Sequence, residues 1–378
     1  MKLVIIVPDG LCDIRYPALD NLSPVEYANT PALDNLVRRG QVGLVRTMYD
    51  GLPLGSLVGF LGLLGYDPRA YFPLGRSIFE ARALGLKLAP GDVALRCNIV
   101  RASKEGRLVD FTAGHISDDS ARKYLAECLL PANVELHHDL SYRNVLIFRD
   151  CPWSVSDLEL VEPHDNVGSS IDQCLPRYRG QRFEPLAELM LASRRNGLML
   201  WPWAASRMRK FPRLRLDTYV VTALSFLYGL TEMLGGQALI PAGATGFLGS
   251  DLSSKVKALS QALAEVDLAI VHCNAPDEEA HVNNLYGKVQ AIEDIDRQVV
   301  RPLLAHLENA AEPCRILICP DHYTCCYDGK HHSNPVPYVV TGHGITASHS
   351  FSTYSEAEIS NTKAQVLESY RLVTTLRQ

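Results

Sequence analysis

Asp277 and His281 stand four positions apart, directly after a short apolar run and at the head of a helical pattern, a spacing that puts both side chains on one helix face. A carboxylate beside an imidazole is a donor set for a divalent ion such as Mn²⁺ or Zn²⁺. The same pairing recurs as Asp321-His322 after Ile316 to Cys319, and two such pairs suggest two ions. Asp9 follows the apolar run Leu3 to Val7, and His331 and His332 come shortly after the second pair. Taken singly, a strand-end Asp caps a helix or forms a turn, and a lone His is a surface or satisfied core group. The combination at corresponding places is what points to coordination.

Ser56 ends the Gly/Pro-rich stretch Gly51-Leu52-Pro53-Leu54-Gly55-Ser56 and opens the apolar helical run Leu57 to Leu64. By local sequence alone it reads as an N-cap. Beside a metal it becomes a nucleophile, because coordination lowers the pKa of a hydroxyl that is unreactive at neutral pH and aims its oxygen at phosphorus.

These residues need a scaffold that gathers them. Leu3 to Val7, Leu268 to Val271 and Ile316 to Cys319 are short apolar runs, each followed by Asp, His or Asn, and they read as central parallel strands. Helical patterns such as Leu252 to Val266 and Leu285 to Leu307 alternate with them, which predicts an α/β fold with a mostly parallel sheet and helices on both faces. Ligands in such sheets collect at the carboxyl ends of the strands. From about Leu88 to Ser206 the texture changes to strand-like segments at Asp92 to Val100, Val145 to Arg149 and Gly197 to Trp201, with polar loops and one helical stretch. This middle part, 88–206, reads as an inserted α+β domain between two parts of a core, 1–87 and 207–378.

At 378 residues, 47% hydrophobic and 21% charged, the chain has the composition of a folded globular protein. A net charge of −5 with no Lys/Arg run argues against a nucleic-acid partner. The ten cysteines follow no disulfide or zinc-ribbon spacing and include the adjacent Cys325-Cys326, which fits a reducing cytoplasm. The opening apolar run is too short for a signal-peptide core, and Thr218 to Leu234, the longest apolar stretch, is broken by Gly229, so no membrane span is expected.

The sequence resembles the cofactor-independent phosphoglycerate mutases of the archaeal type, within the alkaline-phosphatase superfamily, over nearly its whole length. The resemblance is carried by Pro8-Asp9-Gly10, Thr30-Pro31-Ala32-Leu33-Asp34, Gly55-Ser56 with Leu64-Gly65-Tyr66-Asp67-Pro68, Gly91 to Asn98, Gly243-Ala244-Thr245-Gly246, Ala275 to His281, Ala291 to Asp296 and Pro335-Val336-Pro337. It implies an alkaline-phosphatase-like core with a smaller inserted cap. It also implies one ion held by Asp9, Ser56, Asp321 and His322, and a second held by Asp277, His281 and a later histidine. Ungapped counting from Pro335 selects His331 for that place, whereas the family's His-Ser pair selects His332. Mn²⁺ is the first choice of metal, with Zn²⁺, Co²⁺ and Mg²⁺ compatible, and no 2,3-bisphosphoglycerate is required.

The implied reaction interconverts 2- and 3-phosphoglycerate through a phosphoserine at Ser56, with Arg76, Arg96 and Arg143 at positions matching substrate-holding bases. A guanidinium fork suits phosphate and carboxylate. The sequence departs from the family where an acidic residue usually follows the serine (Leu57), where basic residues are usual (Phe111, His115) and at Asn334 before Pro335. Those departures keep open a phosphatase or phosphotransferase acting on another small phosphorylated or phosphonate metabolite. A catalytically silent binding protein is a third reading, set against by the complete set of ligand residues. The sequence does not decide the oligomeric state.

Overall fold

The computed structural model describes residues 1–308, 312–347, 351–361 and 365–377. The chain divides into two compact units, one made of 1–72 with 211–378, the other of 73–210.

The first unit is built on an eight-stranded sheet. Its order is Gln237–Leu239, Thr218–Val221, Leu268–Cys273, Lys2–Pro8, Cys314–Ile318, Val336–Gly342, Gln41–Arg46, Val366–Glu368. Neighbours run parallel except on either side of Val336–Gly342, which pairs antiparallel with both of its partners. The three apolar runs expected to be central strands are adjacent and parallel, in the register Ile5 opposite Ile270 and Leu317. Side chains alternate across a strand, and both sets are covered. Val4 and Ile6 join Val271, Ile316 and Ile318 in a core with the helices Pro31–Arg39, Leu252–Ala262 and Leu285–Ile295, while Leu3, Ile5 and Val7 are also fully buried. A sheet sealed on two faces accounts for uninterrupted apolar runs rather than alternating ones.

The expected helix from Leu285 to Leu307 is continuous to Glu308 but is not uniform, because Asp296–Val300 is a π-helical turn. Pro302 has no N–H to give to the preceding turn, and the widened turn, in which Arg301 N–H bonds Asp296 C=O, absorbs the mismatch.

The second unit carries a sheet in the order Leu198–Arg207, Val93–Ala102, Arg143–Phe148, Val134–Leu140, all antiparallel, with Leu108–Asp110 added to Val93–Ala102. It begins at Pro73 rather than near Leu88, since the helix Ser77–Ala83 packs on Val93–Ala102 and Leu198–Arg207. Ser77 Oγ donates to Ala204 C=O at 2.6 Å, and Ser206 Oγ accepts from Ile78 N–H at 2.9 Å.

In the first unit one buried acid has a consequence for stability. Glu356 accepts from Ser23 Oγ–H at 2.7 Å and Asp13 N–H at 3.2 Å, and burial pushes its carboxyl up to about 7 from 4.5. The folded protein keeps a proton that the unfolded chain releases above pH ~4.5, so stability falls as pH rises through that window and the loss is complete above about pH 7. Glu356→Gln retains an acceptor for Asp13. In urea titrations it is expected to match the parent near pH 5 and to exceed it at pH 8 by on the order of 1 kcal/mol or more.

Candidate metal centre

The residues expected to coordinate come together at the carboxyl ends of the three central strands. Asp9 follows Lys2–Pro8, Asp277 lies in the first turn of the helix Ala275–His281 after Leu268–Cys273, and Asp321-His322 follow Cys314–Ile318. The turn after Asp9 requires glycine. Gly10 has φ +59°, and a Cβ there would meet Thr324 Oγ1 at 2.5 Å and Asp277 Oδ1 at 2.8 Å.

Ser56 is the first residue of the helix Ser56–Leu63, half-buried, so the positive end of the helix dipole lies at its hydroxyl. Its Oγ is 3.4 Å from Asp9 Oδ2 and 3.3 Å from His322 Nε2. Gly59, one turn on, lets this helix lie against Asp321, whose Cβ would be 2.8 Å from an added methyl group.

Two donor groups result. In one, His322 Nε2 is 3.3 Å from Asp9 Oδ1 and 3.4 Å from Asp321 Oδ2. In the other, Asp277 faces His281 Nε2 at 3.2 Å and His331 Nε2 at 3.4 Å. His281 Nδ1 meets Gly329 C=O at 2.7 Å and His331 Nδ1 meets Leu54 C=O at 3.2 Å, contacts that put the proton on Nδ1 and leave Nε2 directed at Asp277.

The histidine ambiguity has a geometric outcome. In the short strand Lys330–His332 neighbouring side chains point to opposite sides; His331 reaches Asp277, and His332 pairs with Asp328 at 3.2 Å. His331→Ala is therefore expected to weaken metal binding at least about tenfold, a loss of ~1.4 kcal/mol, and His332→Ala to leave it within about twofold. Titration against a chelating dye separates the two.

Electrostatics favours a cation here. Asp9, Asp277 and Asp321 are all buried. Burial, then the charges of Asp321 and Asp277, hold the Asp9 carboxyl well above its usual range. Burial acts to raise Asp277 too, but the facing imidazoles of His281 and His331 outweigh it and hold that carboxyl well below. Burial lowers His322, and it lowers a further histidine, His272, to about 3, so both rings are neutral. Among the described residues, Asp321 Oδ2 and His331 Nε2 are buried without a hydrogen-bond partner. Three clustered carboxylates, the neutral His322 imidazole and two orphaned ligand atoms fit divalent ions.

Sequence reasoning missed His272, Thr324 and Thr222. His272 is wholly buried on Leu268–Cys273, with Nε2 3.0 Å from Asp9 Oδ2 and Nδ1 3.2 Å from Thr222 Oγ1. Thr324 Oγ1 is 2.6 Å from Asp277 Oδ1 and 3.0 Å from His322 Nδ1. Buried Lys288 donates to Thr324 C=O at 2.6 Å and to Asp13 Oδ2 at 3.0 Å, which fixes the backbone around that hydroxyl.

The three arginines lie in the second unit. Arg76 and Arg96 share Glu80 Oε1 at 3.3 and 3.2 Å; Arg96 also lies over Trp203 at 4.3 Å, and Arg143 over Tyr142 at 5.4 Å. Burial, then the neighbouring Arg76 charge, pushes Arg96 down to about 10. Phe111 packs edge-on to Tyr142 and His164, and His115 to Tyr142, so aromatic rings stand at the two positions where the resemblance led to bases being expected.

Comparison with known proteins agrees in direction. A family model described as 2,3-bisphosphoglycerate-independent phosphoglycerate mutase matches residues 37–196. A protein so named from Methanothrix thermoacetophila is 35% identical over 367 residues, covering 91% of this chain and 92% of its own. One named a probable member from Geobacter sulfurreducens is 33% identical, covering 99% and 98%. A Pyrococcus horikoshii protein structure aligns over 99% of this chain and 96% of its own at TM-score 0.78 and 22% identity. The cofactor-independent phosphoglycerate mutase of Thermoplasma acidophilum aligns over 100% and 99% at TM-score 0.63 and 22% identity.

Proposed function

Since the chain belongs to the 2,3-bisphosphoglycerate-independent phosphoglycerate mutase family, we propose that it interconverts 2- and 3-phosphoglycerate by passing the phosphoryl group through Ser56. The observation that supports this most is the seat of Ser56 Oγ, at a helix N-terminus and within 3.4 Å of both Asp9 and His322.

Ser56 Oγ gives up its proton and attacks phosphorus, a new P–O bond forms, and the bond to the substrate oxygen breaks as that oxygen takes up a proton to become a hydroxyl. The released glycerate stays in place and offers its neighbouring hydroxyl to the phosphoserine, which restores Ser56. Two divalent ions, held by Asp9, Ser56, Asp321 and His322 and by Asp277, His281 and His331, would lower the serine pKa and offset charge on the phosphoryl oxygens. His272 holds Asp9 from behind, and the N-terminal amides of Ser56–Leu63 lie where an anion is stabilised. We assign the core to the alkaline-phosphatase type, the 73–210 unit to the role of an inserted cap, Mn²⁺ to the centre and the cytoplasm as the location.

Arg76, Arg96 and Arg143 are the groups proposed to hold the carboxylate and phosphate of the substrate. Arg76→Gln is expected to raise KM roughly 10–100-fold, the worth of one charge-assisted hydrogen bond, with a smaller change in kcat.

A second reading has a specific observation behind it: the Phe111, Tyr142 and His164 rings, with Leu57 after the serine, in place of charged groups. It keeps Ser56 and the ions but transfers phosphorus to water or to another acceptor. Metal-loaded protein given 3-phosphoglycerate and followed by ³¹P NMR decides. Accumulation of 2-phosphoglycerate supports the mutase; free phosphate without the isomer, or no turnover, refutes it.

A further inference from the structure

We infer that two buried threonines assign opposite tasks to the two buried histidines of the centre: Thr324 makes His322 a ligand by holding its proton on Nδ1, and Thr222 makes His272 a donor to Asp9 by holding its proton on Nε2. A threonine hydroxyl has one proton to give, a carboxylate has none, and a neutral imidazole has one.

Thr324 Oγ1 is 2.6 Å from Asp277 Oδ1, so its proton goes to that carboxylate. The hydroxyl can then only accept, and the group 3.0 Å away, His322 Nδ1, must carry the ring proton. His322 Nε2 is left as a bare lone pair facing Ser56 Oγ at 3.3 Å, Asp9 Oδ1 at 3.3 Å and Asp321 Oδ2 at 3.4 Å. A lone pair among carboxylate oxygens repels them, and a cation among the four reverses the sign.

At His272 the chain runs the other way. His272 Nε2 faces Asp9 Oδ2 at 3.0 Å, which as a metal-ligating carboxylate can only accept, and Nδ1 faces Thr222 Oγ1 at 3.2 Å, a hydroxyl that keeps its proton to give while it accepts Leu224 N–H at 3.1 Å. The ring proton is then on Nε2, 3.0 Å from Asp9 Oδ2, and orients that carboxylate. Lys255 Nζ fixes His272 C=O at 2.7 Å, and Phe60 sits edge-on to the ring at 5.2 Å, so the imidazole is held in this orientation. His272 lies within ligand distance of Asp9 and Asp321, yet it presents a proton rather than a lone pair. Thr324 also ties the two donor groups together, since one hydroxyl touches Asp277 of one and His322 of the other. Both threonines are positioning residues.

The test uses the full-length protein labelled with ¹⁵N-histidine, stripped of metal and loaded with Zn²⁺, which is diamagnetic. Nitrogen chemical shifts are expected to show a protonated Nδ1 on His322 and a protonated Nε2 on His272; the reverse tautomer on either ring overturns the assignment. Chelator competition adds a second measurement. Thr324→Val should weaken Zn²⁺ binding roughly 10–100-fold, and Thr324→Ser should recover it to within about threefold. Unchanged affinity in Thr324→Val, or a serine variant as weak as the valine one, overturns the role of the hydroxyl. If the valine variant does not fold, the shifts of the parent protein still decide. The consequence rests on the proposed metal centre, but neither readout involves turnover, so a negative mutase assay and a negative tautomer result are distinguishable.

Discussion

Ser56→Ala is expected to remove phosphoryl transfer by at least about 10⁴-fold, roughly 5.5 kcal/mol of transition-state free energy, while the thermal midpoint stays within a few degrees of the parent. The two halves of the expectation have different causes. The hydroxyl is the only atom lost, and in the proposed reaction it forms the bond to phosphorus, so no neighbour substitutes for it. Stability depends on it little, because Ser56 is half-buried and its contacts with Asp9, at 3.5 and 3.4 Å, are too long to be strong hydrogen bonds. Turnover of 3-phosphoglycerate measures the first half and calorimetry the second. Radiolabel from substrate should be trapped on the parent protein after a denaturing quench and absent from the alanine variant. Residual turnover within about a hundredfold of the parent would show that another nucleophile, or water, does the chemistry.

What the sequence reveals of this centre follows from where each signal lies. Asp9, Asp277, Asp321 and His322 stand just past apolar runs that are buried on two faces, so the end of each run marks the place where a side chain leaves the core. His272 directly follows the apolar run Leu268 to Val271 but is still within the strand Leu268–Cys273, where a single histidine looks like a packed core group, and its contact with Asp9 across parallel strands is what distinguishes it. Thr222 and Thr324 are silent for a related reason. A threonine within a short strand, as Thr324 is, or just past one, as Thr222 is, is common, and its significance here is the direction of one proton. His331 and His332 are adjacent, and which of them faces Asp277 depends on the register of Tyr323–Cys325 against Lys330–His332, a pairing too short to leave a pattern. The start of the second unit was hidden as well, since Ser77–Ala83 continues the helical texture that precedes it but packs on Val93–Ala102.

Metal removal should separate stability from activity in a signed way. Asp9, Asp277 and Asp321 are buried within one cluster, and Asp321 Oδ2 has no hydrogen-bond partner among the described residues. With ions present those charges are ligands; without them they repel one another in a poorly solvated place, and the folded state carries the cost. Chelation is therefore expected to abolish turnover and to lower the thermal midpoint, with both restored by Mn²⁺. At a free concentration of 100 times Kd the ion should contribute about 2.7 kcal/mol per site. Asp321→Asn sharpens the test, because the amide keeps an oxygen for Gly10 N–H, 3.3 Å away, but gives up the charge. In chelator it should be more stable than the parent by on the order of 1 kcal/mol, and in Mn²⁺ less stable and without activity. The crossing arises because one carboxylate is a liability to the empty fold and a ligand in the loaded one. Equal stabilities of variant and parent in both conditions would mean that no ion sits between Asp321, His322 and Ser56.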